Sequence, residues 1–245
     1  MDERLLNIIA DSFWKILLPG LTVTIPLTAV SFLFALIIAI VTAMVQFANV
    51  RVLRQIARFY VWVIRGTPVL VQLFVVFYGL PRAGIMINPF PAAVLVFSIN
   101  EGAYASETVR AALESIPKGQ IEAGYCCGLS YLQIMRRIVL PQAMRTAFPP
   151  LSNSLIGLLK ETSLAANITV TEMFMVTQRI VARTYEPLVL YIEVGFIYLV
   201  FCTILTKLQR ICERKLDTYE KVQDYAADRR IGGLWKRKER SGGQR

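Results

Sequence analysis

"ILLPGLTVTIPLTAVSFLFALIIAIVTAMVQ", residues 16–46, is the stretch whose reading decides the fold class. Lys15 and Arg51 bracket a run with no ionisable side chain, and about 20 apolar residues already cross a bilayer core. The run is too long for a secretory signal peptide and has no small-residue cleavage site. The rest of the chain is alike. Of its 245 residues 55% are hydrophobic, and mean hydropathy is +0.51, a mixture hard to keep in water unless most of it faces lipid.

Outward from that run, four more apolar spans are expected, at about 59–80, 89–112, 148–175 and 187–207. Pro19 and Pro26 would break or kink the first span, and Arg65-Gly66-Thr67-Pro68 would kink the start of the second. Short cytoplasmic loops accumulate Lys and Arg. Arg51, Arg54 and Arg58 lie between spans one and two, and Lys118, Arg136, Arg137 and Arg145 between three and four. Only Arg82 lies in the second-to-third loop, and Arg179 and Arg183 in the fourth-to-fifth. An all-α integral membrane protein of about five transmembrane helices follows, N-terminus outside and C-terminus inside. Its parts are an extracytoplasmic N-terminus (1–15), a transmembrane domain (16–215) and a basic cytoplasmic tail (216–245), disordered from about Asp228.

Absences narrow the chemistry. The chain has no histidine, which excludes His-based nucleophile pairs and His-ligated metals. It has no GxxxxGK[ST] phosphate cradle, so energy for work must come from another protein. The net charge of +10 is weighted to the tail from Lys207, where lipid head groups are nearer partners than nucleic acid. Cys126, Cys127, Cys202 and Cys212 have neither disulfide-framework nor metal-ligand spacing. No catalytic residue, bound cofactor or metal is expected.

"EAGYCCGLSYLQIMRRIVLP" (122–141) is a polar-edged island within the loop at about 113–145. One short helix around Lys118–Cys127 would end at Gly128, and a second would open at Ser130, whose Gln133 completes a capping box. Tyr131, Ile134, Met135 and Ile138 recur at helical spacing on one side, and Pro141 would end the run. Ala123, Gly124 and Gly128 expose little side chain, which suits a docking element. The spacing Glu122-Ala123-Gly124, three residues, Gly128, nine residues, Ile138, one residue, Leu140-Pro141 resembles the EAA loop of bacterial ABC importer permeases, with Gly124 in place of an alanine. "RGTPVLVQLFVVFYGLP" (65–81), "NEGAYASETVRAAL" (100–113), "LKETSLAANITVTEMF" (159–174) and "ARTYEPLVLY" (182–191) are similar to the polar amino acid permeases, most of all to their L-cystine branch.

That resemblance implies the type I ABC importer permease fold in a bacterial cell membrane. It implies a second permease subunit, identical or homologous, and two ATPase subunits that bind ATP-Mg and dock on the loop. It also implies an extracytoplasmic protein delivering the amino acid.

Ionisable groups at membrane depth cost about 2.5 kcal/mol or more, so they face a cavity or one another. On span three, Glu101 and Tyr104 share a face, and Glu107 has Arg110 three residues on for a partner. Span four carries Lys160, Glu161, Thr162 and Ser163, one cation and one anion beside hydroxyls that would complement a zwitterion. These seven residues are the substrate-path candidates. Glu172 and Glu193 would lie near the outer surface or a subunit seam. Three alternatives remain: a permease for another amino acid, a peptide or an organic sulfur compound; a passive channel or adaptor; and an intramembrane hydrolase using Ser163 and Lys160.

Overall fold

The structure, a computed structural model, describes residues 3–47 and 50–242, with side chains described through residue 215. Every regular element among the described residues is helical. Two compact units divide the chain, Met1–Leu205 and Thr206–Arg245.

Helices α1 (Glu3–Pro19) and α2 (Ile25–Phe47) form one helical run of 45 residues. The prolines do not break it. A wide turn at Gly20–Thr24, closed by the Ile25 N–H on the Gly20 carbonyl five residues back, accommodates the missing donor of Pro26. Residues 3–15 are helical and continuous with this run. Leu33, Phe34, Ile37 and Ile40 point outward while Ala35, Ala39 and Ala43 are buried, the pattern expected where lipid is the solvent and helices meet through small residues.

The inward face of α2 packs on α5 (Pro89–Glu114), which supplies Ala92, Ala93, Ala103 and Ala105. Gly102 marks their closest approach: a Cβ there would sit 2.8 Å from Ile38 Cγ2. Ser98 Oγ donates to the Ser31 carbonyl at 3.1 Å across the same seam.

The stretch 59–80 is bent at its start, as the Arg65-Gly66-Thr67-Pro68 run suggested. Helix α3 (Arg51–Arg65) stops at Gly66, and α4 (Val69–Phe74) restarts after Pro68 and runs on through tighter and wider turns to Ala83. The two arms bend by 100°, because Pro68 holds extended backbone (ψ 137°) that no helix accepts. The stretch 148–175 is divided too. Helix α8 (Leu140–Glu161) passes into a 3-10 segment Thr162–Ile168, ending in left-handed Thr169 (φ 65°), before α9 (Met173–Thr184).

Pro141 does not end its run either. Helix α7 (Tyr131–Ile134) continues through a wide turn, Met135–Val139, into α8, and Pro141 sits in the first turn of α8, where a missing N–H costs little. Two helices among the described residues, Glu3–Phe47 and Pro187–Lys215, are long and apolar enough to cross a membrane, and a third if the bent pair is one span. Helix α10 (Pro187–Gly242) runs past Asp228, where the sequence suggested disorder. Ala, Arg, Lys and Glu there are good helix formers, so composition and helical propensity point different ways. The side chain of Trp235, a possible membrane contact, lies outside the described ones. In the second unit Gln209 Nε2 donates to Glu213 Oε1 at 2.8 Å, one helical turn on.

Candidate functional site

Two regions carry the candidate residues. The first is the loop between α5 and α8. Helix α6 (Lys118–Cys126) ends where Gly128 takes a left-handed φ of 75°. There the Leu129 N–H donates to the Gly124 carbonyl (3.1 Å) and the Gly128 N–H to that of Tyr125 (2.9 Å), satisfying two carbonyls of the last turn. Ser130 then opens α7 with both bonds of the capping box: its N–H donates to Gln133 Oε1 (2.8 Å), and the Gln133 N–H donates to its Oγ (3.4 Å).

The underside of this loop is a core of its own. Ile134 and Val139 are fully buried among Leu113, Ile116 and Ala143, joining the end of α5, the loop and the start of α8. Gly124 lies directly on Ile134, and a Cβ there would meet Ile134 Cγ1 at 2.8 Å. Glycine rather than alanine at this position is therefore a matter of fit. Gln142 Nε2 donates to Gln120 Oε1 at 2.6 Å and ties α6 to α8.

The upper side is open: Glu122, Ala123, Gly128, Leu140 and Pro141 are exposed, and Ile138 is half-buried. Tyr131, expected with the apolar side, points outward instead. Leu132, 76% exposed, borders a shallow cavity of about 390 Å³ with Gln133, Arg136 and Arg137. Sequence reading passed over Leu132, although an apolar residue opposite the buried stripe was a visible signal.

The second region surrounds the helix break at residues 66–68. Gln72 clamps the break, its Nε2 donating to the Ile64 carbonyl (2.9 Å) and to Thr67 Oγ1 (2.8 Å). Asn100 of α5 donates to Gln72 Oε1 at 3.0 Å, and Tyr60 Oη to the Ile99 carbonyl at 2.6 Å. The end of α3 is thereby fixed against the middle of α5. Arg65 lies over the ring of Tyr104, 5.1 Å from guanidinium carbon to centroid. One turn before Tyr104, Glu101 is 8% exposed, and its Oε1 has no hydrogen-bond partner. Ser154 of α8 lies beside its carboxyl, and the charge of Glu161 is near enough to repel it.

The structure thus groups Glu101 with Glu161, and Tyr104 with Arg65. The remaining candidates go elsewhere. Glu107 pairs with Arg110 (2.6 Å), which also holds Glu114 (2.9 Å), so two carboxylates share one guanidinium. Lys160 and Ser163 line a separate cavity of about 520 Å³ with Phe174, Tyr191 and Tyr198. Thr162 is fully buried and donates to the Leu159 carbonyl at 2.7 Å.

Glu172, expected near the outer surface or a subunit seam, is fully buried within this chain and caps α9 by accepting from the N–H groups of Phe174 (2.8 Å) and Met175 (2.6 Å). Glu193, 8% exposed, accepts from Ser12 Oγ at 2.6 Å. Arg65 was read only as part of a kink. Its position inside an apolar span was the signal that marked it as more.

The family described as "binding-protein-dependent transport system inner membrane component" matches residues 35–218. The L-cystine transport system permease protein TcyB of Bacillus subtilis is 49% identical over 214 residues, covering 87% of this chain and 92% of that protein. The L-cystine transport system permease protein TcyL of the same organism is 37% identical over 218 residues, covering 86% and 91%. A crystal structure of an amino acid ABC transporter with histidines superposes with a TM-score of 0.81 at 30% identity, covering 88% of this chain and 100% of that one. The chain belongs to the family of inner membrane components of binding-protein-dependent transport systems.

Proposed function

We propose that this member of the family is the membrane-spanning subunit of an ATP-driven importer for a polar amino acid, with L-cystine the leading substrate. It works as one of two permease subunits, each with five spans, the N-terminus outside and the C-terminus inside. Two ATPase subunits supply the hydrolysis, and an external binding protein supplies the amino acid. The observation that carries this reading is the loop at 122–141, whose exposed face presents Glu122, Ala123 and Gly128 over a packed underside.

A docking element transmits force only if it moves as one body with the helices it drives. Ile134 and Val139 make it so, because they are buried jointly with α5 and α8 residues and cannot shift alone without opening voids. Glu122 would bond to the ATPase surface, with Tyr125 and Leu132 as apolar anchors. Nucleotide then biases the permease toward an outward-facing state by binding one arrangement more tightly than the other. The substrate similarity rests on the relatives, TcyB and TcyL, whose names state L-cystine transport.

Uptake of labelled cystine, glutamine, glutamate, arginine and histidine is to be measured in vesicles holding this chain with its ATPase and binding protein, with and without ATP. ATP-dependent accumulation of cystine is the expected result. Accumulation of another of these amino acids corrects the substrate alone, and ATP-independent flux overturns the importer reading in favour of a passive channel.

A further inference from the structure

Arg65 and Glu101 are charged side chains without a contact ion pair among the described residues, Arg65 reaching Glu107 only at longer range. The obvious partners are taken or turned away: Glu107 is claimed by Arg110, and Lys160, beside Glu161, lines the other cavity. A carboxylate buried with one oxygen unbonded is expensive unless something pairs with it.

Arg65 presents the complementary demand. Its guanidinium is exposed yet held on the Tyr104 ring, so the fork is oriented before any ligand arrives. The hydrogen bonds through Gln72 and Asn100 serve the same end, since they set the tip of α3 against the turn of α5 that carries both Glu101 and Tyr104. Along α5, Glu101 and Tyr104 are three residues apart, within about one 5.4 Å turn.

We propose that Arg65 and Glu101 hold the two ends of the transported amino acid, its carboxylate on the guanidinium and its ammonium on the carboxylate, with the exposed Tyr104 ring between them. This assignment rests on the reading of the chain as an amino acid permease and adds Arg65 as a residue that determines specificity. A planar guanidinium accepts a carboxylate through two parallel hydrogen bonds, which a lysine ammonium cannot reproduce.

The test is equilibrium binding of labelled L-cystine to the permease–ATPase complex in lipid nanodiscs, without binding protein. The competitors are cystamine, which lacks the carboxylates, and dithiodipropionic acid, which lacks the ammonium groups. Co-purification of the ATPase with each variant checks that it has folded. Arg65→Gln is expected to weaken cystine binding by about tenfold while leaving cystamine as it is in the unchanged protein. Glu101→Gln is expected to weaken cystine similarly and to spare dithiodipropionic acid.

Tyr104→Phe keeps the ring and should bind normally, whereas Tyr104→Leu should resemble Arg65→Gln. Equal weakening of all three ligands by Arg65→Gln and Glu101→Gln, or no weakening of any, overturns the assignment. Should the unchanged complex import none of the five amino acids, the proposed substrate class falls and other small polar solutes take its place, an outcome distinct from cystine import by a complex whose variants show no charge selectivity.

Discussion

Ser130 and Gln133 close the capping box of the 122–141 loop across three residues of chain, whereas Asn100 reaches back 28 residues to Gln72 and Tyr60 reaches 39 residues forward to Ile99. The loop is thus assembled largely from neighbours, and the polar cluster at the helix break from three helices that meet only after folding. The difference bears on how each tolerates change. A local cap loses what its own bonds contribute, while a cluster held by long-range bonds loses the relative position of α3 and α5 together. The two also differ in charge. In the loop, polar groups face outward to a partner or to water; in the cluster, Glu101 is enclosed with its charge unmatched.

The largest effect expected from breaking this contrast is at the loop's exposed face. Glu122→Arg reverses a charge where the ATPase would dock, and ATP-driven uptake should fall by about 100-fold, with the protein folded and in the membrane. Uptake at the normal rate would remove the coupling role. Next is the loop's underside, where Ile134→Ala opens a void beneath Gly124. A loss of about 2–5 kcal/mol is expected, read as a lower thermal midpoint of the purified complex.

The cluster should respond more gently. Asn100→Leu leaves Gln72 Oε1 without its donor and should cost about 1–2 kcal/mol, with α3 and α4 exchanging backbone hydrogens faster. An unchanged exchange pattern would show that Asn100 does not hold the break. Ser130→Ala removes the cap of α7 at a cost of about 1 kcal/mol, and faster exchange confined to residues near 133 would mark the loop as locally built. Smallest is Glu107→Gln, which leaves Arg110 with Glu114. The expected change is below about 1 kcal/mol, and a large loss of uptake there would return Glu107 to the substrate path.

Much of the loop was legible beforehand because capping chemistry is a matter of adjacent residue types. Gly128, Ser130 and Gln133 announce their roles by identity and spacing, and the structure gives them those roles. The role of Gly124 was only half visible. Smallness could be read, but the contact with Ile134 that makes a Cβ intrusive depends on how α7 folds back on α6. The spans at 59–80 and 148–175 contain backbone breaks that hydropathy cannot show, because it counts residues and ignores direction. A run can stay apolar while Pro68 or Thr169 turns its backbone away. Pro141 misled in the opposite sense, since a proline near the start of a helix lacks only a bond that position would not make.

The sequence by itself determined that this chain lives in lipid, that it carries no histidine chemistry and no phosphate cradle of its own, and that residues 122–141 form a capped, small-residue loop. Composition, absence and local spacing are properties of the string, so no folding is needed to read them. Only the tertiary structure decided which charges answer one another. Glu172 became a buried cap, and Arg65 came to rest on Tyr104 one turn from Glu101, whose Oε1 has no hydrogen-bond partner. Electrostatic partnership between residues far apart in the chain depends on distance in space and on burial, which only the packing of the helices sets.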